Sequence, residues 1–138
     1  MADTRRRLTC LAIAVALIPI GIAWRMAPLH LPQFLYKYGG SVLWAGMVYW
    51  LVAAMLPRSR PLSLALLAAL MAALVEFSRL VPIPSVDAFR LTLAGKLILG
   101  RFFSPWDILA YWIAIAIAAA ADFRWTPGYK PAPTSQPR

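Results

Sequence analysis

Charge, cysteine and histidine are all scarce in this 138-residue chain, and each scarcity excludes a class of protein. Charged residues are 14% of the sequence, against about 25% in a typical soluble domain, while 62% is hydrophobic. Mean hydropathy is +0.68. An ordinary soluble domain is excluded, and the chain reads as a membrane protein. The lone cysteine, Cys10, cannot form an intrachain disulfide and lies too early for a lipoprotein cleavage site, so it is expected as a buried free thiol. One histidine, His30, supplies neither a zinc site nor a Cys-His nucleophilic pair. Ser41 and Ser78 have no adjacent histidine base. Gly95 and Gly100 have the spacing of a phosphate loop, but Arg101 and Phe102 stand where lysine and serine or threonine are required. No cofactor and no metal is therefore expected, and catalysis is the less favoured reading.

Acids are scarce too, five against fourteen lysines and arginines, giving a net charge of +9. The basic residues are spread over both flanks of the apolar runs, with no single stripe and no nucleic-acid-binding motif. Anionic lipid headgroups account for them, and nucleic acid is not expected as a partner.

What the chain does have is long apolar runs. A hydrocarbon core about 30 Å thick needs roughly 20 apolar residues per crossing helix. Four runs qualify, at residues 8–24, 40–56, 62–80 and 105–123. The expected fold is an all-α integral membrane protein: four transmembrane helices in an antiparallel bundle, with a short interfacial or re-entrant segment between the third and fourth. One membrane domain spans 1–123, and a proline-rich polar tail, 124–138, is expected to be disordered. Arg5, Arg6 and Arg7 before Leu8–Trp24 also resemble a secretory signal, with Gly21-Ile22-Ala23 as a loose cleavage site, but three later spans make a signal-anchor sufficient. Pro19 and Gly21 are expected as a kink or a close packing point. Pro57-Arg58-Ser59-Arg60-Pro61 is a tight turn joining spans two and three into a helical hairpin. Ser104 as N-cap, Pro105 in the first turn and Asp107 three residues after the cap form a strong start signal for the last span.

Lysine and arginine near the membrane ends set orientation. Arg5–Arg7, Arg58, Arg60, Arg124 and Lys130 fall on one side; Arg25, Lys37, Arg90, Lys96 and Arg101 fall on the other. Both termini are accordingly placed in the cytoplasm, with Trp24, Tyr38 and Trp106 in an outer aromatic belt and Trp125 at the inner boundary.

Glu76 and Asp107 are carboxylates set inside apolar runs, where a charge costs several kcal/mol and marks function by default. Ala65, Ala68, Ala69, Ala72 and Ala73 recur at helical spacing, and Glu76 continues their line; Asp107, Ala110, Tyr111, Ala114 and Ala118 do the same in the last span. Small residues let membrane helices approach closely, so both acids are expected to point into the bundle while Leu, Ile and Phe face lipid; the same faces could serve a homo-oligomer. At 1.5 Å per residue, Glu76 sits roughly 20 Å from Leu62, in the outer third of the membrane, and could share a pocket with Asp107. Arg79 follows one turn beyond Glu76, and Asp87 and Arg90 can face each other on a short helical turn.

These residues carry a family resemblance. Tyr38-Gly39-Gly40-Ser41-Val42-Leu43-Trp44-Ala45, Glu76-Phe77-Ser78-Arg79-Leu80, Asp87-Ala88-Phe89-Arg90-Leu91-Thr92 with Gly95, and Trp106-Asp107-Ile108-Leu109-Ala110-Tyr111 resemble domain-of-unknown-function family 2809. More distantly, a glutamate ending one span and an aspartate opening the last are similar to VanZ-like proteins. The resemblance covers Leu31 to Asp122 and implies a four-helix protein of the bacterial inner membrane with no established activity. It also implies aspartate where this chain has Ser41 and glutamine where it has Arg79, whereas Glu76, Asp87, Arg90 and Asp107 match.

Three functions remain open. The favoured one is binding of an amphiphile headgroup, anionic or otherwise, or of a membrane partner, through Glu76, Arg79, Asp87, Arg90, Asp107, Tyr111 and Ser41 near the outer leaflet. A small transporter or membrane enzyme cycling a carboxylate's proton is the second. The third is a structural bundle without ligand, in which Asp107 caps its helix and Glu76 pairs with Arg79.

Overall fold

The computed structural model describes residues 2–28, 30–100 and 102–125. Among the described residues six helices follow one another: α1 (Ala2–Met26), α2 (Gln33–Met55), α3 (Pro61–Ser78), α4 (Pro84–Arg90), α5 (Leu93–Ile98) and α6 (Pro105–Trp125). Among the described residues there is no strand. Helices α1, α2, α3 and α6 are each long and apolar enough to cross a bilayer, and they correspond to the four runs read from the sequence. The short pair α4 and α5 occupies the segment between the third and fourth.

Three of the four long helices outrun their apolar cores. Arg5–Arg7 lie inside α1 rather than before it, since arginine is a good helix former and Asp3 in the first turn favours the positive end of the dipole. Gln33 and Lys37 extend α2 below Gly40. Arg124 and Trp125 continue α6 into the segment expected as tail, and residues 126–138 lie outside the described residues. In contrast, α3 stops at Ser78, where the Arg79 and Leu80 N–H groups turn back to Glu76 and Phe77. Helix α1 runs unbroken through Pro19, and a Cβ on Gly21 would meet nothing within 4 Å, so Gly21 is not the packing point expected of it.

The long helices alternate in direction. The start of α1 meets the ends of α2 and α6 through Arg6, Pro57 and Asp122, while the starts of α2 and α6 meet the end of α3 at the opposite face of the bundle. Helices α2 and α6 pack on each other; α1 lies against α2, and α3 spans both. Their core is built of small side chains, Ala14, Ala45, Ala53, Ala68, Ala72, Ala114 and Ala118, locked around Tyr49, Leu64 and Ile115. Large apolar side chains such as Leu66, Leu70, Leu74 and Ile117 turn outward, as close alanine-lined contact within a bilayer requires.

Glycine permits one such contact at the α1–α2 junction. The Trp24 ring lies where a Cβ on Gly39 would stand, and its indole N–H donates to the Tyr36 carbonyl at 3.2 Å.

Candidate functional site

The i, i+4 line Leu64, Ala68, Ala72 on α3 ends in Glu76, which has no exposed surface. Its carboxylate is saturated. Arg79 Nη1 lies 2.7 Å from Oε1 and 2.6 Å from Oε2; the Ser104 backbone N–H donates to Oε1 at 2.7 Å and the Tyr111 hydroxyl to Oε2 at 3.1 Å. A buried charge is tolerated only when paired and hydrogen-bonded in this way.

Arg79 is wrapped in turn by the loop leading into α6. Its Nε donates to the Leu99 carbonyl at 2.6 Å and Nη1 to the Phe102 carbonyl at 3.0 Å, while Nη2 reaches the Tyr111 hydroxyl at 3.3 Å. Gly100 adopts a positive φ of 67° against the guanidinium, and a Cβ there would stand 2.4 Å from Nη2. The loop thus closes over the ion pair because glycine leaves it room.

Asp107 is treated differently. It is 5% exposed, yet its nearest donors are the Ser41 hydroxyl at 3.5 Å from Oδ1 and Arg79 Nη1 at 3.8 Å from Oδ2. The sequence places it as the acidic member of a capping box with Ser104, but the Ser104 N–H that such a box needs is held by Glu76. Asp107 is therefore a buried carboxylate released from helix capping and, among the described residues, without a close partner.

It lines a pocket of about 200 Å³ at the end of the bundle where α2 and α6 begin. Buried Asp107 and Tyr111 and half-buried Ser41 and Trp44 form its inner wall; the exposed cations Arg25, Lys37 and Lys96 stand around its mouth. The Trp44 indole N–H is buried without a hydrogen-bond partner among the described residues, and its ring packs on Tyr111 with centroids 5.2 Å apart. Lys37 Nζ lies 3.4 Å from the Ser104 hydroxyl.

Of the seven residues singled out from the sequence, five come together here: Ser41, Glu76, Arg79, Asp107 and Tyr111. The other two face each other as expected but elsewhere. Arg90 Nη1 pairs with Asp87 at 2.7 Å, and Nη2 donates to the Ser78 carbonyl and hydroxyl at 2.9 and 3.1 Å. Arg90 thereby satisfies the end of α3, a role suited to arginine at a helix C-terminus. Thr92 then caps α5, accepting the Gly95 N–H at 3.0 Å, and Gly95 is the close approach that seats α5 on α4, since a Cβ there would lie 1.9 Å from the Phe89 carbonyl oxygen.

A second buried acid cluster lies at the opposite end of the bundle and escaped the sequence reading. Asp122, 2% exposed, accepts from the Tyr49 hydroxyl at 2.8 Å and from Arg6 Nη2 at 2.9 Å. The second nitrogen of Arg6 donates to the Pro57 carbonyl, so one side chain ties α1, the α2–α3 turn and α6 together. The signal was present: Asp122 continues the line Asp107, Tyr111, Ala114, Ala118 by one more step of four. Cys10, free and buried, belongs to the same bundle core.

The family model described as "Protein of unknown function (DUF2809)" matches residues 30–115. That stretch contains the whole Ser41, Glu76, Arg79, Asp107 and Tyr111 cluster, whereas Arg6 and Asp122 fall outside it. No solved structure matches the chain.

Proposed function

The chain belongs to the DUF2809 family, whose function is unknown, and from that premise we propose that it is a multi-pass membrane protein that binds an amphiphile headgroup in the pocket beside Asp107. One observation carries the reading. A carboxylate 5% exposed, with no donor closer than 3.5 Å among the described residues, lines a pocket of about 200 Å³ whose mouth is cationic. A buried acid left this poorly paired is costly unless something else completes it. The cations at the mouth favour negative charge arriving from the membrane surface, and exclusion of water strengthens each such attraction.

The roles within the cluster divide. Asp107, Ser41, Tyr111 and the cations at the mouth contact the headgroup; Glu76 and Arg79 shape the wall by fixing the loop that ends at Ser104. Asp87 and Arg90 hold α4 against the end of α3 and act through that loop. The excess of cations at the other end of the bundle supports a pocket on the outer side with both termini cytoplasmic, and the family resemblance supports a bacterial inner membrane.

The loose hold on Asp107 also favours a second reading, in which this carboxylate takes up and releases a proton in a small transporter or membrane enzyme. The two differ in what the variant Asp107→Asn does. Under the binding reading, lipid co-purifying with the protein and seen by mass spectrometry changes in amount or class in Asp107→Asn and falls away in a Lys37→Ala, Lys96→Ala double variant, while both still insert. Unchanged lipid in both variants overturns it.

A further inference from the structure

Charge is segregated within the pocket. Arg25, Lys37, Arg79 and Lys96 line it together with a single acid, Asp107. Arg79 is taken by Glu76, whose carboxylate it meets at 2.6 Å, against 3.8 Å to Asp107. Arg25, Lys37 and Lys96 are in no ion pair among the described residues, and all three are exposed. The mouth therefore carries uncompensated positive charge and the inner wall one uncompensated negative charge.

A purely anionic headgroup satisfies the mouth and leaves Asp107 facing more negative charge. A purely cationic one satisfies Asp107 and is repelled by the mouth. Resting on the headgroup-binding reading, we infer that the ligand is a zwitterion, with a primary ammonium donating to Asp107 and an anionic group, phosphate or carboxylate, held among Lys37, Lys96 and Arg25. One further group beside Asp107 suits an ammonium. Ser41 Oγ, 3.5 Å from Oδ1, offers an acceptor, whereas the Tyr111 hydroxyl is engaged by Arg79 and Glu76. A charge-assisted hydrogen bond in a water-poor site is about twice as strong as a neutral one, so the ammonium selects as well as binds.

The same chemistry is offered by an ethanolamine phospholipid and by a soluble phosphorylated amine. The full-length protein, purified in detergent, is titrated in native mass spectrometry with phosphatidylethanolamine, with phosphatidylglycerol of the same acyl chains, and with free O-phosphoethanolamine. Phosphatidylethanolamine is expected to bind about tenfold tighter than phosphatidylglycerol, and Asp107→Asn to remove that preference while phosphatidylglycerol binding is kept or improved. Free O-phosphoethanolamine competing at the affinity of the lipid identifies a soluble ligand; much weaker competition identifies the lipid. Phosphatidylglycerol bound as tightly as phosphatidylethanolamine by the unaltered protein overturns the zwitterion and leaves headgroup binding standing. Binding of every class unaffected by Asp107→Asn and by Lys37→Ala with Lys96→Ala overturns both.

Discussion

Glu76 reaches across from the end of α3 to take the N–H of Ser104 at 2.7 Å, the donor that Asp107 is placed to cap. One acid thereby does the other's local work. Glu76 ends with each oxygen doubly contacted, and Asp107 ends buried with its nearest donor at 3.5 Å. The division between an acid that holds the fold and an acid that faces the pocket follows from this single hydrogen bond.

The two carboxylates should respond unequally to neutralisation. Glu76→Gln leaves the Arg79 guanidinium, 7% exposed, without its close counter-charge and is expected to lower stability by about 3–5 kcal/mol. Asp107→Asn removes a weakly paired buried charge and is expected to change stability by under about 1 kcal/mol, in either direction. Thermal unfolding of both variants in the same detergent checks the contrast; equal losses would show that Asp107 is as structural as Glu76.

The path of these residues through the bundle was largely legible. A four-residue repeat of alanine announced the buried face of α3, and the same repeat in α6 placed Asp107 and Tyr111 on its inner face. Asp122 lies one step further on that face and was passed over because it sits where the apolar run ends. Hydrogen-bond partners were less legible. Leu99 and Phe102 hold Arg79 through backbone carbonyls, which leave no mark in side-chain sequence. The signature of a capping box in Ser104 and Asp107 was clear, but its N–H is taken by a residue 28 positions earlier, and only the return of the chain over α3 reveals that. Asp87 and Arg90 were read correctly as partners, yet nothing local says that Arg90 reaches back to Ser78.

Gly100 sets how tightly the loop closes. Gly100→Ala forces a left-handed backbone on a residue with a Cβ, costing about 1–2 kcal/mol, and drives that carbon against the Arg79 guanidinium. Stability should fall by at least that amount and lipid capture should weaken with it. A variant indistinguishable from the parent in both would mean that the loop has room the geometry does not provide.

At the opposite end, Asp122 joins three segments through Arg6 and Tyr49. Asp122→Ala strands the largely buried Arg6 charge and is expected to cost about 3–5 kcal/mol. Tyr49→Phe removes one hydrogen bond to a carboxylate and should cost about 1.5–3 kcal/mol. Because this cluster lies away from the pocket, lipid preference measured on the folded fraction should be unchanged in both variants.

Cys10 is 2% exposed, packed where α1 meets the core. Its thiol should resist a membrane-permeant maleimide in the folded protein and react fully after denaturation in sodium dodecyl sulfate. Rapid labelling of the folded protein would place α1 outside the packed bundle.

The measurement closest to the central claim is photo-crosslinking from inside the pocket. A photoreactive amino acid placed at Ile98, a wall residue with no polar role, is activated in native membranes and the adduct is identified by mass spectrometry. The account predicts a zwitterionic adduct at position 98 that disappears when Asp107→Asn is introduced into the same chain. An adduct of unchanged identity and yield in Asp107→Asn would contradict the assignment of this pocket to a headgroup held by Asp107.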